Sequence, residues 1–536
     1  MNNSVNVFPD GENLSLKDVV GVARQNKIVA LLPENREKME KSRSMLDKWI
    51  EEEKIVYGIT TGFGPFVSTL IPTRYQTDLQ ENLIRSHAAN VGPNFSDEEV
   101  RAAMLLRTNA FAKGFSAIRL ETVDLLISFL NAGIQPVVPE WGSVGASGDL
   151  TPSAHIALSL MGEGLVRYKG EIVPTSEALK ATGLKPVKFK AKEGLALING
   201  TTMMTGVGAL MLSDAWTLLR TAEIISALGI EALLGSSEPF LAEGHLAKAH
   251  PGQIATAANL RELLQGSSLV WDPKQLSDIQ KELQEKMKTA GDVVDSGIHV
   301  QNVYSLRATP QILGAVRDAL TYATERITTE MNSANDNPLF FPELGISYQG
   351  ANFHGQSVAL PLDVAAIATT EIGVLSERRL NKLLDPARNH GLSPFLARGK
   401  SGLRCGLEGA QYIATSLVAE CRTMCAPASI QSIPSNGENQ DVVSMGLVAA
   451  RKARDIKNKI SAILAVELLA ATEALEERDL SKLSPIGETV RSLVRGVVAP
   501  YNNDVQMNPL ITAVQKLIVS GEVVEVVEKK IGHSMS

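Results

Sequence analysis

The chain of 536 residues contains few cysteines and few aromatic residues, and its charge is slightly acidic. Three cysteines (Cys405, Cys421 and Cys425) are too few for a disulfide framework in a chain of this length. Cys421 and Cys425 lie four residues apart, but no histidine or second cysteine pair accompanies them, so we expect buried thiols and no metal site. The formal net charge of −7 argues against nucleic-acid binding.

The chain also lacks a long charge-free apolar run and a recognisable signal peptide. The most apolar helical segment, 460–474, contains Glu467 and Glu473, which indicates a buried helix and not a membrane span. The first ten residues contain no positively charged region followed by an apolar block. We therefore expect a cytoplasmic protein with no membrane partner. The hydrophobic fraction of 44% and the charged fraction of 21% are typical of globular proteins.

Helical periodicity dominates the chain after a mixed first part. Capping signals at Ser15 and Ser96 predict helix starts, and residues 167–174 read as a small hairpin. Long helical patterns with small residues on their inner faces occupy about 309–331, 357–380, 407–427 and 441–475. We predict a mainly α fold with a mixed N-terminal domain over 1–205. An elongated helical-bundle domain with short C-terminal helices is expected over 206–536.

The stretch 142–150, Gly-Ser-Val-Gly-Ala-Ser-Gly-Asp-Leu, interrupts this pattern with small, flexible residues. If the backbone bends tightly, the amide nitrogen of Gly148 can reach the carbonyl carbon of Ala146, because glycine has no side chain to clash. Ring closure releases one water, and loss of the Ser147 hydroxyl releases a second. The product is 4-methylideneimidazol-5-one (MIO), an electrophile that no standard side chain provides. For an isolated Ala-Ser-Gly triplet, a plain loop is the better interpretation.

Several other polar or aromatic residues lie in loops or beside helix ends. Tyr57 lies in a glycine-rich loop over 55–65, a typical place for functional side chains. Arg307 offers a planar fork that suits a carboxylate. Phe353 forms the tip of a loop, and we expect 439–441 to begin a long helix, with its polar groups beside the helix N-terminus. Taken singly, each residue also fits surface packing, an interhelical salt bridge or core packing.

Together these motifs resemble the histidine, phenylalanine and tyrosine ammonia-lyase and aminomutase family, over about residues 15–480. The longer context from Gly142 to His155 is similar to the family's signature. The residues that carry the resemblance are Tyr57, His87, Ala146, Ser147, Gly148, Asn199, Tyr304, Arg307, Phe353 and Gln440. The resemblance implies a mainly α-helical homotetramer whose active sites combine residues from neighbouring subunits. It also implies MIO formed autocatalytically from Ala146-Ser147-Gly148, with no external cofactor.

The resemblance further implies a role for each residue. Tyr57 removes a proton from the β-carbon of the substrate, while Asn199 and Tyr304 hold the prosthetic ring and the amine. The substrate-binding residues are expected to be Ser86, His87, Arg307, Asn335, Phe353 and Gln440. Arg307 is the expected partner of the substrate carboxylate.

Gln440 and His87 bear on the identity of the substrate. Histidine lyases place a glutamate where this chain has Gln440, and a neutral amide fits a phenyl-type side chain. His87 can hydrogen-bond a para-hydroxyl, which would discriminate against phenylalanine by up to ~10⁵ in the strongest cases. We therefore expect L-tyrosine as the substrate, with histidine second. The stretches that resemble bacterial tyrosine 2,3-aminomutases are 81–89, 244–253, 292–297 and 435–446.

The expected activity is that of a tyrosine 2,3-aminomutase that makes β-tyrosine through 4-coumarate, with ammonia-lyase side activity. A tyrosine ammonia-lyase that releases coumarate and ammonia remains open, as does a histidine ammonia-lyase. The aminomutase and lyase outcomes share every chemical group and differ in how long the site stays closed. Two alternatives of other kinds are a helical scaffold that has lost activity and a fumarase-like lyase, which works without the MIO ring.

Overall fold

The structure, a computed structural model, describes residues 6–293, 301–400 and 402–536. Within the stretch 292–297, residues 294–297 lie outside this description. The described chain divides into two compact units, each made of separate stretches of sequence. Unit 1 comprises Met1–Ser213, Tyr322–Val364 and Ala426–Arg454, and unit 2 comprises Asp214–Thr321, Ala365–Cys425 and Asp455–Ser536.

Helices account for most of the described residues, which confirms the mainly α prediction. The helices of the first part are α1 (Leu16–Gln25), α2 (Pro33–Glu51), α3 (Gln76–His87), α4 (Asp97–Ala112), α5 (Leu120–Ala132), α6 (Leu150–Leu160), α7 (Thr175–Thr182), α8 (Glu193–Ile198) and α9 (Thr202–Ala232). The helices that follow are α10 (Ala242–Lys248), α11 (Pro251–Leu263), α12 (Pro273–Ala290), α13 (Tyr304–Arg307), α14 (Thr309–Met331), α15 (Gln356–Leu384), α16 (Glu408–Met424), α17 (Gly446–Leu475), α18 (Pro485–Val497), α19 (Met507–Ser520) and α20 (Glu522–Ile531).

The strands of the described chain are short and belong to unit 1. They are β1 (Val91–Asn94), β2 (Ile134–Pro136), β3 (Pro139–Trp141), β4 (Leu165–Tyr168), β5 (Glu171–Pro174), β6 (Leu339–Phe341) and β7 (Ile346–Tyr348). Three antiparallel sheets have the orders β1-β3, β2-β4-β5 and β6-β7. The predicted hairpin over 167–174 is confirmed as β4-β5, in which Arg167 pairs with Ile172.

Two capping boxes begin helices in unit 1, at the predicted helix starts. The Ser15 side chain accepts from the backbone N–H of Asp18, and the Asp18 carboxylate accepts from the backbone of Ser15. Ser96 and Glu99 form the same reciprocal pair at the start of α4. Each box satisfies two backbone N–H groups that have no partner inside the helix.

One hydrophobic cluster of unit 1 lies beside the loop that carries Tyr57. It contains Leu46 of α2, Val56 and Ile59 of the loop, and Phe340 of β6. Trp49 packs edge-on against the Phe340 ring, with ring centroids 5.9 Å apart. This burial anchors both ends of the short segment on which Tyr57 is placed.

Small residues allow close helix packing in unit 2, as the sequence pattern predicts. A Cβ on Gly373 of α15 would lie 2.4 Å from the Ile460 side chain of α17. A Cβ on Gly314 of α14 would lie equally close to the backbone of Gln253 in α11. Side chains larger than hydrogen at these positions would separate the helices.

The prediction that 460–474 is a buried core helix is confirmed, since it forms part of α17 and its apolar side chains, except the half-buried Ala462, are fully buried. Of the described helices, one, Gln356–Leu384, reaches the length and apolarity of a membrane span, with 72% of its apolar window buried in the chain. A buried core helix has the same length and apolarity. Cys421 is buried, as predicted, whereas Cys425 is half-buried and Cys405 is exposed.

Two features differ from the sequence-based expectations. Residues 322–364 and 426–454 pack with the first 213 residues, whereas a single boundary near residue 205 would place them in the second domain. Long helices contribute residues to both units, so one break in the sequence cannot separate them. The prediction that 439–441 begins a helix is wrong, because α17 begins at Gly446. Backbone hydrogen bonds between Ser435 and Gln440 instead close a turn.

Candidate active site

A cavity of about 810 Å³ in unit 1 gathers most of the predicted site residues. Those that line it are Tyr57, Ser86, His87, Ala146, Ser147, Gly148, Asn199, Phe353 and Gln440. They come from a loop, the end of α3, the turn before α6, the end of α8 and the loops that precede α15 and α17. Residues far apart in sequence therefore meet around the Ala-Ser-Gly turn.

The turn requires glycine at Gly148. Its φ is +71°, and a Cβ there would lie 2.0 Å from the carbonyl oxygen of Gly200. The backbones of Ala146 and Gly148 form an isolated bridge, and Gly148 forms another with Gly200. Without a side chain at position 148, the turn can fold back on itself while lying against a second backbone segment.

The carbonyl oxygen of Ser147 accepts two hydrogen bonds. The Asn199 side-chain nitrogen Nδ2 and the Gly200 backbone nitrogen each lie 3.1 Å from it. The other amide atom of Asn199, Oδ1, is buried and has no hydrogen-bond partner among the described residues. Two donors on one oxygen stabilise negative charge there, in the manner of an oxyanion hole.

Two buried ionisable groups, Asp149 and Arg107, stabilise the turn and the start of α9. The Asp149 carboxylate accepts from Ser143 Oγ at 2.9 Å and from the Met204 backbone N–H at 2.7 Å. Burial raises the pKa of Asp149 to about 7. Burial likewise lowers the pKa of Arg107 to about 10. Arg107 donates to Thr202 Oγ1 at 3.2 Å, so this side chain ties α4 to the start of α9.

Tyr57 faces the cavity from a loop that is closed by its own hydrogen bonds. The Gly64 backbone N–H donates to the Tyr57 hydroxyl oxygen at 3.1 Å. Gly62 N–H donates to Thr69 O and Ile71 N–H donates to Thr60 O, at 3.0 and 2.9 Å. The hydrogen bond from Gly64 fixes the position of the Tyr57 hydroxyl oxygen at the cavity wall.

Ser86 and His87 lie in the last turn of α3. His87 Nδ1 is 2.9 Å from the Leu83 carbonyl oxygen and 3.1 Å from Ser86 Oγ. Ser86 Oγ donates to the same carbonyl at 3.0 Å. These contacts hold the imidazole against the helix end while its outer edge lines the cavity.

The amide of Gln440 contacts the side chain of Ser147. Gln440 Nε2 lies 3.3 Å from Ser147 Oγ, and Ser435 Oγ lies 3.1 Å from Gln440 Oε1. Phe353 lines the cavity from the loop before α15. An amide and an aromatic ring therefore accompany the turn, and neither carries charge.

Asn335 does not line this cavity. It is buried, with Nδ2 donating to Thr201 Oγ1 at 3.0 Å and Oδ1 accepting from Arg107. Glu330, whose pKa is raised by burial, also accepts from Thr201. These bonds hold the segment that follows Asn199, so in this chain Asn335 contacts supporting residues.

Tyr304 and Arg307 belong to unit 2 and line a separate cavity of about 460 Å³ there. The Arg307 guanidinium lies over the Tyr304 ring, 4.7 Å from its centroid. Tyr304 is 71% exposed. Arg307 Nε is buried and has no hydrogen-bond partner among the described residues.

Sequence reasoning missed several residues that line the unit 1 cavity. Leu79, Asn82 and Leu83 precede Ser86 on one face of α3, and Asn337 also contributes. The helical spacing of 79, 82, 83 and 86 was a usable signal, because such residues share a face. In the described part of the chain, no group of three or more His, Cys, Asp or Glu residues could hold a metal ion.

Known proteins of one family match this chain over nearly its whole length. A family model described as aromatic amino acid lyase matches residues 14–496. A tyrosine ammonia-lyase of Cupriavidus metallidurans is 47% identical over 522 residues, 97% of each chain. An MIO-dependent tyrosine 2,3-aminomutase of Streptomyces globisporus is 45% identical and covers 98% of this chain and 97% of its own. The solved tyrosine aminomutase structure from that organism matches with a TM-score of 0.95 and 44% identity, over 99% of this chain and 100% of the other.

Proposed function

Because this chain belongs to the aromatic amino acid lyase family, we propose that it is an MIO-dependent tyrosine 2,3-aminomutase. It would convert L-tyrosine to β-tyrosine through 4-coumarate, with ammonia-lyase side activity. The observation that carries this proposal is the cavity that gathers the Ala-Ser-Gly turn with Tyr57, His87 and Asn199. We further propose that the protein acts in the cytoplasm, without a membrane or nucleic-acid partner.

The residues present fit the proposed prosthetic group. Gly148 has the conformation and the missing side chain that ring closure with Ala146 needs. Asn199 and Gly200 hold the Ser147 carbonyl oxygen, which ring closure retains. Once formed, MIO supplies the electrophile that makes the substrate amine a competent leaving group. No external cofactor is required.

The remaining polar residues would bind the substrate and move its proton. Tyr57 accepts the proton of the β-carbon, and the Gly64 N–H holds the oxygen that receives it. Phe353 packs against the aromatic ring, and His87 meets the para substituent. The neutral amide of Gln440 suits a phenol side chain better than a carboxylate at the same position would. Arg307 binds the carboxylate through two parallel hydrogen bonds, with Tyr304 beside it.

We propose a homotetramer in which Tyr304 and Arg307 of one copy complete the unit 1 cavity of another. The observation in favour is that unit 1 holds the turn and the residues proposed to bind the ring, whereas Arg307, whose Nε has no hydrogen-bond partner among the described residues, belongs to unit 2. The test is to mix two inactive variants, Ser147→Ala and Arg307→Leu, unfold them mildly and reassemble them. Shared sites restore part of the turnover in mixed tetramers, whereas sites built from one copy restore none.

The choice of aminomutase over lyase requires coumarate to stay in the cavity. The loop that carries Tyr57 supports retention, because Phe63, Gly64 and Pro65 line the cavity and the loop closes on itself. Gly64 also approaches the Asn436 side chain, since a Cβ there would lie 2.7 Å from its Nδ2. A loop held at both sides would open slowly enough for the amine to add again at the β-carbon.

The decisive experiment incubates the purified protein with tyrosine, phenylalanine and histidine and separates the products by chromatography. β-Tyrosine supports the aminomutase, and coumarate alone supports the alternative, a tyrosine ammonia-lyase. Urocanate would support a histidine ammonia-lyase and contradict the interpretation of Gln440. Intact mass provides the control, because the active chain must be lighter by two waters and Ser147→Ala must not be. A full-mass, inactive wild type would indicate a scaffold without catalysis.

A further inference from the structure

We propose that Gln440 catalyses the second of the two water losses at the Ala-Ser-Gly turn, by donating a hydrogen bond from Nε2 to the departing hydroxyl of Ser147. This inference rests on the proposed function, because it concerns how the electrophile of that function is made. It gives Gln440 a task before any substrate binds, in addition to its proposed place beside the substrate ring.

The chemistry of the second water loss defines what the surrounding residues must do. Ring closure between Gly148 N and the Ala146 carbonyl carbon releases the first water and leaves the Ser147 hydroxyl in place. In the second loss, the Cα–H and Cβ–Oγ bonds of Ser147 break and a Cα=Cβ bond forms. A water molecule in the cavity takes the Cα proton, and the hydroxide that leaves is neutralised by this proton. Negative charge therefore develops on the Ser147 carbonyl oxygen, which is conjugated with Cα, and on Oγ.

The carbonyl end of this elimination already has its donors. Asn199 Nδ2 and the Gly200 backbone N–H each donate to the Ser147 carbonyl oxygen at 3.1 Å. They stabilise the charge that the Cα–H electron pair places on that oxygen. The hydroxyl end needs a donor of its own, because hydroxide is a poor leaving group.

Gln440 supplies a donor at the hydroxyl end. Its Nε2 lies 3.3 Å from Ser147 Oγ and donates to it. Within the part of the chain that the structure describes, no other N–H or O–H group is hydrogen-bonded to Ser147 Oγ. A donor aimed at this oxygen before the bond breaks stabilises the charge that develops there without any reorganisation.

The side chain of Gln440 is held in the orientation that this step requires. Ser435 Oγ donates to Gln440 Oε1 at 3.1 Å, so the other atom of the amide, Nε2, faces Ser147. The backbones of the two residues are also joined, with Ser435 N–H donating to Gln440 O at 3.1 Å and Gln440 N–H to Ser435 O at 3.3 Å. The donor is therefore fixed from both its backbone and its amide oxygen.

The test follows the intact mass of newly synthesised chains, made by cell-free translation and quenched at intervals. Gln440→Met removes the donor and nearly keeps the length of the side chain. We expect it to lose the first water at the wild-type rate and the second about 10²-fold more slowly, the usual effect of removing one such donor. Chains lighter by one water should accumulate. They should not bind a thiol, because a thiol adds to the C=C bond that the second loss creates.

Two further variants isolate the donor from the packing of the turn. Ser435→Ala removes the contact with Oε1 but keeps Nε2, so both waters should be lost within severalfold of the wild-type rates. Gln440→Glu keeps the shape of the side chain, and its carboxyl donates only when it is protonated. Relative to the wild type, its second water loss should therefore become faster as the pH falls, whereas that of Gln440→Met should not.

Gln440→Met chains that lose both waters as fast as the wild type would overturn the proposal. Folded Gln440→Met that stays at full mass would also overturn it, because Gln440 would then be needed for ring closure. One-water chains that bind a thiol would do the same, because their hydroxyl has already left. If Gln440→Met does not fold, the pH dependence of Gln440→Glu decides alone, and its absence overturns the proposal. Failure of the proposed function looks different: the wild type itself then keeps its full mass or does not convert tyrosine.

Discussion

Replacing Gly148 by alanine tests the geometry on which the proposed chemistry depends. The new Cβ would lie 2.0 Å from the Gly200 carbonyl oxygen and 2.2 Å from its carbonyl carbon. Gly200 cannot move away easily, because a Cβ at its own Cα would meet the Asn335 backbone oxygen at 2.5 Å. Its N–H and carbonyl are also bonded to Ser147 and Asp149. The overlap is therefore with backbone that is held on both sides.

Gly183 provides a matched control. Its φ is also +71°, but nothing lies within 4 Å of a Cβ built there. Gly183→Ala should cost about 1–2 kcal/mol, the strain of a left-handed residue alone. Gly148→Ala carries the same strain plus about 1–3 kcal/mol for overpacking, so its loss of stability should be about 2–5 kcal/mol. The difference between the two variants isolates the contact with Gly200.

Urea unfolding of both variants measures the cost, and intact mass of the soluble fraction reports whether the two waters are lost. We expect Gly183→Ala to lose both waters and retain turnover. Gly148→Ala should keep its full mass and be inactive, because the nitrogen of residue 148 no longer lies where ring closure needs it. A Gly148→Ala protein that loses two waters and unfolds like Gly183→Ala would refute this reasoning.

Three further predictions follow from other parts of the structure. Tyr57→Phe should still lose both waters but turn over at least about 10²-fold more slowly, the usual contribution of a general base; unchanged turnover would exclude Tyr57 as the base. Glu467→Gln should destabilise the chain by about 3–5 kcal/mol in urea, because it leaves the fully buried Arg379 guanidinium, its partner at 2.6 Å, without a counter-charge. The double variant Arg379→Met/Glu467→Met should have a free energy of unfolding close to that of the wild type. An equal loss of stability in Glu467→Gln and in the double variant would contradict this prediction. Burial raises the pKa of Asp149 from 3.8 to about 7, so the folded chain keeps a proton that the unfolded chain releases. The protonated carboxyl contributes roughly 4 kcal/mol to stability, and this contribution should be lost as the pH rises from about 4 to about 7. The free energy of unfolding of Asp149→Asn should therefore fall less steeply over this pH range than that of the wild type. Equal slopes in the two proteins would contradict the prediction.

Local features were predictable because their causes are local. The caps at Ser15 and Ser96 depend on side chains three residues apart, and the β4-β5 hairpin depends on a turn at Lys169-Gly170. The Ala-Ser-Gly turn was recognised for the same reason. The family resemblance drawn from these motifs is confirmed by the match over residues 14–496.

Other features could not be predicted, because they depend on contacts between distant segments. The stretch that contains Gln440 was predicted to be helical, yet left-handed Asn436 and Glu438 and the backbone bonds between Ser435 and Gln440 form a turn there. Asn335 carries the same amide whether it binds a ligand or a neighbour, and only the folded chain reveals Arg107 and Thr201 beside it. Composition likewise gave no sign that unit 1 includes 426–454.

The Ala146-Ser147-Gly148 turn illustrates why a short motif suggests chemistry but does not predict the residues that surround it. Its supports come from distant positions: Asn199 is 52 residues from Ser147, Gln440 is 293 away, and Ser444, which donates to Gly145 O at 2.9 Å, is 299 away from that glycine. An isolated nonapeptide has none of these contacts and samples many conformations, since glycine restricts the backbone so little. The close approach that ring closure requires is therefore a property of folded unit 1. If the proposed electrophile forms at this turn, substitutions far from the turn in sequence, at Ser444 for example, should reduce its formation without touching a substrate.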